Sequence, residues 1–159
     1  MLYQKICWGA FIFCLVVSSS CRKKEPCIDG TPILNFVSFS DTQTESIILR
    51  KYSKGSDFNS LVDSTEWTKT NSTYEKSGDT LRILNLMGGD YALDIDFDYE
   101  VYMPFANKLF KINNIVIEQS EMNAGLKYFD RNYCLNPIKS YTLNGQVINT
   151  AAYIFYLKN

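Results

Sequence analysis

The chain of 159 residues contains no histidine. It therefore lacks the general base of histidine-assisted serine or cysteine catalysis, and it lacks a histidine ligand for zinc. Neither a glycine-rich phosphate loop nor a Cys-x-x-Cys pair is present. Because these motifs mark most recognisable enzyme classes, we expect a protein that is not an enzyme and that carries no cofactor.

Hydrophobic runs long enough to cross a membrane are absent too. The uncharged run from Ile6 to Val17 has 12 residues, whereas a membrane-spanning helix needs about 20. Lys5 precedes this run, and three serines and then Cys21 follow it. This order resembles a bacterial lipoprotein signal peptide, and the resemblance implies cleavage before Cys21 and lipidation of its thiol.

The resemblance divides the chain into a cleaved signal peptide at 1–20, a lipidated cysteine with its tether at 21–31, and one domain at 32–159. It implies a lipid anchor in the outer membrane of a Gram-negative cell. A basic segment, Arg22 to Lys24, follows the anchor and favours the periplasmic face. The chain has 16 basic and 17 acidic residues, so no excess of positive charge predicts binding to nucleic acid.

Five cysteines are present, and Cys7 and Cys14 lie within the predicted signal peptide. With Cys21 lipidated, Cys27 and Cys134 remain, and two leftover thiols in an exported domain most simply pair. We therefore predict a Cys27–Cys134 disulfide. Closing a loop of about 100 residues contributes at most about 4.7 kcal/mol in the chain-entropy model.

Period-two alternation of apolar and polar residues recurs along the chain, and helical periodicity does not. The clearest stretch is Tyr91 to Tyr99, in which aspartates occupy the even positions 94, 96 and 98. Asn144-Gly145 lies between two short apolar segments and predicts a tight hairpin. Eight or so strands predict an all-β fold, an antiparallel immunoglobulin-like β-sandwich, with a small lipocalin-like β-barrel as the alternative.

Asp94, Asp96 and Asp98 form the main acidic group. On one face of a strand, alternate residues stand roughly 6.5–7 Å apart, a spacing that suits a solvated acidic face, a calcium site or a glycosidase acid–base pair. The solvated face is the leading interpretation. Calcium would be a structural ion.

Trp67 is the only tryptophan that follows the predicted signal peptide, and it lies in a polar, threonine-rich segment. A lone tryptophan is most often part of the core. If exposed, Trp67 together with Tyr74 would stack on a sugar or anchor a protein partner. The pair is therefore the candidate ligand-binding site.

The layout as a whole, with Cys21, Cys27, Cys134 and a β-rich pattern, resembles small lipoproteins of Gram-negative bacteria that carry one β domain. This resemblance implies a cell-envelope protein. The leading hypothesis is a binding or scaffolding module, an accessory subunit of an envelope complex. The alternative is a lipoprotein that binds a small ligand or a glycan.

Overall fold

A computed structural model of the chain describes residues 24–29, 32–70, 73–83, 93–123 and 135–159. Within these ranges the chain forms β-strands and one 3₁₀ helix at Pro104–Ala106, and no α-helix. The strands are β1 (Lys24–Pro26), β2 (Ile28–Asp29), β3 (Ile33–Val37), β4 (Ser46–Ser53), β5 (Leu61–Thr68), β6 (Tyr74–Ser77), β7 (Thr80–Ile83), β8 (Phe97–Met103), β9 (Lys108–Ile117), β10 (Glu121–Asn123), β11 (Leu135–Asn136), β12 (Ile138–Leu143), β13 (Gln146–Ala152) and β14 (Ile154–Lys158).

The chain divides into two compact units. The first comprises residues 1–28 and 119–135, and the second comprises residues 29–118 and 136–159. In the described part of the first unit, β1 pairs antiparallel with β10, and Glu25 lies opposite Met122. A second short sheet pairs β2 with β11.

The second unit is an all-β sandwich, as the sequence predicts. Six strands form one sheet in the order β13-β12-β9-β8-β4-β5, and four form the other in the order β14-β3-β7-β6. The two sheets pack against each other. In the described residues they are two separate sheets rather than one closed barrel. The immunoglobulin-like assignment stays a prediction.

The core lies between the two sheets. Alternation along β8 points Tyr99, Val101 and Met103 inward, each at most 1 % exposed. Phe36 and Phe155 of the facing sheet are fully buried. Each of these large side chains contributes about 1.5–3 kcal/mol by leaving water. This core fixes the positions of the strands and therefore of the side chains at the edges of the sandwich.

The hairpin predicted at Asn144-Gly145 is confirmed. Leu143 pairs with Gln146 at its closed end, and Asn144 and Gly145 have φ values of 50° and 82°. These left-handed values are those that asparagine and glycine tolerate at the centre of a tight turn. The backbone N–H of Lys111 also donates to Asn144 Oδ1 at 2.8 Å, which ties the turn to β9.

The single strand predicted over Tyr91–Tyr99 is wrong. Residues 91 and 92 lie outside the described residues, 93–96 form a turn, and β8 begins at Phe97. The carboxylate of Asp94 accepts a hydrogen bond from the backbone N–H of Asp96, an arrangement that favours a turn over a strand. The hydroxyl group of Tyr99 donates to Asp94 O at 2.9 Å and fixes that turn.

Candidate functional site

An open cleft lies between the sheets, where β5 and β6 are the edge strands. Ile47, Leu81 and Ile83 form its apolar floor, and Trp67 and Tyr74 form its aromatic walls. Its empty volume of about 270 Å³ includes open solvent, and the space that a water-sized sphere can occupy inside it is about that of one water molecule. The cleft is therefore shallow, and an occupant would lie over it rather than inside it.

Trp67 is buried, with 6 % of its surface exposed, and belongs to the hydrophobic core. The interpretation of Trp67 as a core residue is confirmed. Its indole Nε1–H, however, is buried and donates to no acceptor. A buried donor without an acceptor costs about 1–3 kcal/mol, and tryptophan N–H groups usually find a partner when buried. The indole N–H is therefore an unpaired buried donor, which lowers the stability of the fold.

Tyr74 lies across the cleft on β6 and is 43 % exposed. The structure thus brings together Trp67 and Tyr74, the two residues that the sequence predicts as a binding pair. They belong to different sheets. Because the Trp67 ring is buried and the Tyr74 ring is exposed, an occupant would contact chiefly the tyrosine ring.

The rim of the cleft carries a charge network. Lys69 lines the cleft, and its ammonium group donates to the backbone carbonyl oxygen of Asp41 at 2.7 Å. Lys76 forms an ion pair with the Asp41 carboxylate. The hydrogen bond and charge of Lys76, and the charge of Lys69, hold the pKa of Asp41 below its usual value. The Asp41 carboxylate is thus neutralised by Lys76, and the rim keeps the positive charge of Lys69.

The turn beside the cleft is fixed by local hydrogen bonds. The backbone N–H of Ser40 donates to Gln43 Oε1 at 2.9 Å, and the backbone N–H of Gln43 donates to Ser40 Oγ at 3.3 Å. Thr44, which lines the cleft, donates its hydroxyl group to the Ser40 carbonyl oxygen. The Asn159 amide donates to Ser38 O at 3.1 Å. This wall of the cleft is therefore formed in advance of binding.

The structure separates the three aspartates predicted as a possible calcium site. Asp94 and Asp96 are exposed in the turn before β8, whereas Asp98 is 1 % exposed on β8. In the described residues, no group of three or more cysteine, aspartate or glutamate side chains is arranged to hold a metal ion. The prediction that all three carboxylates lie on a solvated face is wrong for Asp98, because the loop after β4 covers it.

That loop holds Asp98 through its backbone. The N–H of Gly55 donates to Asp98 Oδ2 at 2.8 Å, and Lys54 donates to the carbonyl oxygens of Ile95 and Ile115 at 3.0 and 3.2 Å. The second carboxylate oxygen, Asp98 Oδ1, is buried without a hydrogen-bond partner. No sequence motif predicts this contact, because it depends on how the loop folds back over the sheet.

Sequence reasoning also misses a charged cluster around Glu100 on the outer face of the six-stranded sheet. Arg50, Glu100 and Lys111 lie opposite one another on β4, β8 and β9. Glu100 is 8 % exposed, and it accepts hydrogen bonds from Tyr52 at 2.8 Å and from Arg50 at 3.4 Å. Lys111 approaches its other oxygen at 3.2 Å. Every polar atom of the Glu100 carboxylate thus has a partner, so the cluster is structural.

Cys27 is buried and disulfide-bonded, and its backbone N–H donates to Ser120 O at 3.0 Å. Its predicted partner, Cys134, and the predicted lipidation site, Cys21, lie outside the described residues. The Cys27–Cys134 pairing and the lipid anchor therefore stay predictions.

Comparison of the chain with protein-family models, with curated proteins and with solved structures returned no match. In the part of the chain that the structure describes, no helix has the length and apolar character to span a membrane. The functional argument therefore depends on the sequence and on the geometry of the cleft.

Proposed function

We propose that the mature protein is an exported, lipid-anchored binding module of the Gram-negative cell envelope, and that it is not an enzyme. The signal-like segment that ends at Cys21 supports export and anchoring. The basic residues after Cys21 favour the periplasmic face of the outer membrane, because an acidic run at this position would instead resemble a surface-export signal. The same residues would attract anionic lipid headgroups by about 1 kcal/mol each. The lipid anchor would then hold the protein at the membrane surface.

The observation that carries the binding proposal is the shallow cleft that aromatic and aliphatic side chains line at the edge of the sandwich. Tyr74 is 43 % exposed at this cleft although its ring is apolar. A ligand or a partner side chain that covers the cleft would remove apolar surface from water and would stack on the Tyr74 ring.

Preorganisation supports the same proposal. The hydrogen bonds between Ser40 and Gln43 hold the turn beside the cleft, and β4, β5 and β7 hold the floor. Binding to a rigid site avoids the loss of side-chain and loop entropy that weakens binding to a mobile one.

The proposal is tested by identifying what co-purifies with the protein. The lipidated protein is extracted from its own membrane in mild nonionic detergent, and mass spectrometry records both small molecules and proteins in stoichiometric amount. We expect an occupant that is lost from Tyr74→Ala, which removes the exposed ring at the cleft. Tyr156→Ala, at an equally exposed residue of β14 at the far edge of its sheet, serves as the matched control and should retain the occupant.

Two results contradict the proposal. One is a wild-type protein with no stoichiometric occupant. The other is an occupant that is retained equally by the wild type and by Tyr74→Ala. The intact mass of the same sample reports whether the N-terminal residue is a lipidated Cys21.

A further inference from the structure

Strand β13 is an edge of the six-stranded sheet and carries no charged residue. Among the described strands it has a neighbour, β12, on one side only. The other three edge strands of the sandwich do carry charge: Asp63 and Glu66 lie on β5, Glu75 and Lys76 on β6, and Lys158 on β14. Charged side chains on an edge strand oppose its pairing with another strand. The edge of β13 lacks this protection.

The hairpin turn determines which backbone groups of β13 face the open edge. Leu143 and Gln146 close a two-residue turn, so they form a hydrogen-bonded pair. Hydrogen-bonded and non-hydrogen-bonded pairs alternate along an antiparallel ladder, and this alternation gives Val147 and Asn149 the non-hydrogen-bonded positions. The backbone N–H and C=O groups of Val147 and Asn149 therefore point away from β12.

This edge is exposed to solvent. Val147 is 68 % exposed, and Asn149 is exposed too. The register between β12 and β13 shifts beyond the pair of Ser140 and Asn149, and such a bulge bends the strand and ends its regular pairing. The segment that offers regular backbone groups to another strand is thus 146–149.

We propose that two copies of this chain pair through β13, antiparallel and about a two-fold axis at Ile148. In this register Val147 of each copy exchanges both backbone hydrogen bonds with Asn149 of the other copy. Two such residue pairs give four hydrogen bonds, and every outward backbone group of the segment is used. Any other antiparallel register of the segment uses at most half of these groups.

Charge and symmetry identify the partner as a second copy. Because the segment is uncharged, two copies meet without like charges opposite one another. A two-fold interface uses the same surface on both subunits, and the register above is self-complementary. Ile148 packs against the hydrophobic core, so the two Ile148 side chains would lie side by side and continue the core face across the interface. The charged edges of β5, β6 and β14 stop the assembly at a dimer.

Sedimentation of the mature protein in excess nonionic detergent tests this pairing with two variants. We expect the wild type to be in a monomer–dimer equilibrium. Val147→Pro removes an outward N–H from each copy and leaves the bonds to β12 in place, so the dimer dissociation constant should rise at least about tenfold. Val147→Thr, which keeps the N–H and the branched side chain, is the matched control and should dimerise as the wild type does. Circular dichroism checks that both variants are folded.

Cross-linking tests the register without proline. The two Ile148 residues form a non-hydrogen-bonded pair in the proposed dimer, and the Cα atoms of such a pair are about 4.5 Å apart, within the range that a disulfide spans. Under mild oxidation, Ile148→Cys should therefore give a covalent dimer. Val62→Cys, at an exposed position on the charged edge β5, should stay monomeric.

Three results overturn the proposal. The first is a wild-type protein that remains monomeric at the highest soluble concentration. The second is a dimer that Val147→Pro and Val147→Thr form equally well. The third is a dimer in which Ile148→Cys cross-links no better than Val62→Cys, because a different surface or register then joins the copies.

Discussion

The hydroxyl group of Tyr52 donates a hydrogen bond of 2.8 Å to the carboxylate of Glu100. Together with Arg50 and Lys111 it surrounds a side chain that is 10 % exposed. Burial raises the pKa of Glu100, but the hydrogen bonds from Tyr52 and Lys111 outweigh burial and hold that pKa below its usual value. This cluster joins β4, β8 and β9, the central strands of the larger sheet.

The lowered pKa of Glu100 predicts a pH-dependent contribution to stability. Since the carboxyl group has a lower pKa in the folded chain than in the unfolded chain, where it is about 4.3, ionised Glu100 favours folding above that pH. The contribution is lost as the pH falls through the folded-state pKa. Urea unfolding at several pH values between 7 and 3 measures it.

Glu100→Gln isolates this contribution. We expect the variant to lose about 2 kcal/mol at pH 7, the scale of a hydrogen-bonded charge, and to show a flatter decline toward low pH. Glu75→Gln, at an exposed position whose Arg82 contact is 3.9 Å long, should change stability by less than about 0.5 kcal/mol. Parallel pH profiles for Glu100→Gln and the wild type would contradict the assignment.

Because the indole N–H of Trp67 is buried and unpaired, we expect two substitutions at this residue to differ strongly in their cost to stability. Trp67→Ala should destabilise the fold by about 3–5 kcal/mol, because it opens a large cavity in the core. Trp67→Phe also removes apolar contacts, but it removes the unpaired buried donor as well, so its cost should stay within about 1.5 kcal/mol. Thermal and urea unfolding of both variants measure the difference. A loss in Trp67→Phe as large as that in Trp67→Ala would show that the indole N–H has an acceptor in the folded protein.

The buried carboxylate of Asp98 leads to a third prediction about stability. Its buried Oδ1 has no partner, while Oδ2 accepts the Gly55 N–H. Asp98→Asn keeps an oxygen for Gly55 and removes a poorly compensated charge, so we expect unchanged or higher stability at pH 7, by up to about 1 kcal/mol. Asp98→Ala, which removes both oxygens and leaves the Gly55 donor unpaired, should be destabilising. A large loss in Asp98→Asn would show that Oδ1 binds a water or an ion.

The disulfide at Cys27 is predicted to join Cys134. Strand β2 begins one residue after Cys27, and β11 begins one residue after Cys134; these two strands pair. Peptide mapping without reduction should therefore recover one cross-linked peptide that contains both cysteines, and reduction should lower the melting temperature. A Cys27 peptide joined to any other cysteine would contradict the pairing.

Local chemistry made some features predictable from the sequence. The Asn144-Gly145 turn follows from two residues that accept positive φ, and the sandwich follows from repeated period-two patterns. The regular alternation of Tyr91–Tyr99 gave a wrong prediction because the Asp94 carboxylate starts a turn by accepting a hydrogen bond from the backbone N–H of Asp96. The alternation of apolar and polar side chains does not show whether an aspartate will form a turn with the backbone or continue a strand.

The candidate site was only partly predictable from the sequence, because part of it depends on contacts between residues far apart in the chain. Trp67 and Tyr74 stand out in the sequence as aromatic residues in a polar segment, and the structure places both at one cleft. Lys69 and the Asp41 turn that holds it are ordinary polar residues in the sequence. Their role depends on two sheets meeting at their edges, a long-range contact that no local motif records.

The most direct test of the binding cleft is the indole ¹H–¹⁵N resonance of Trp67, the only tryptophan that follows Cys21. The resonance is recorded in the mature protein before and after addition of the molecules released from the wild-type protein by denaturation. We predict that the resonance shifts, because Trp67 lines the cleft and an occupant would change the surroundings of its ring, and that the shift saturates at one equivalent. A resonance that stays in place while the released molecule binds elsewhere would contradict the proposed cleft.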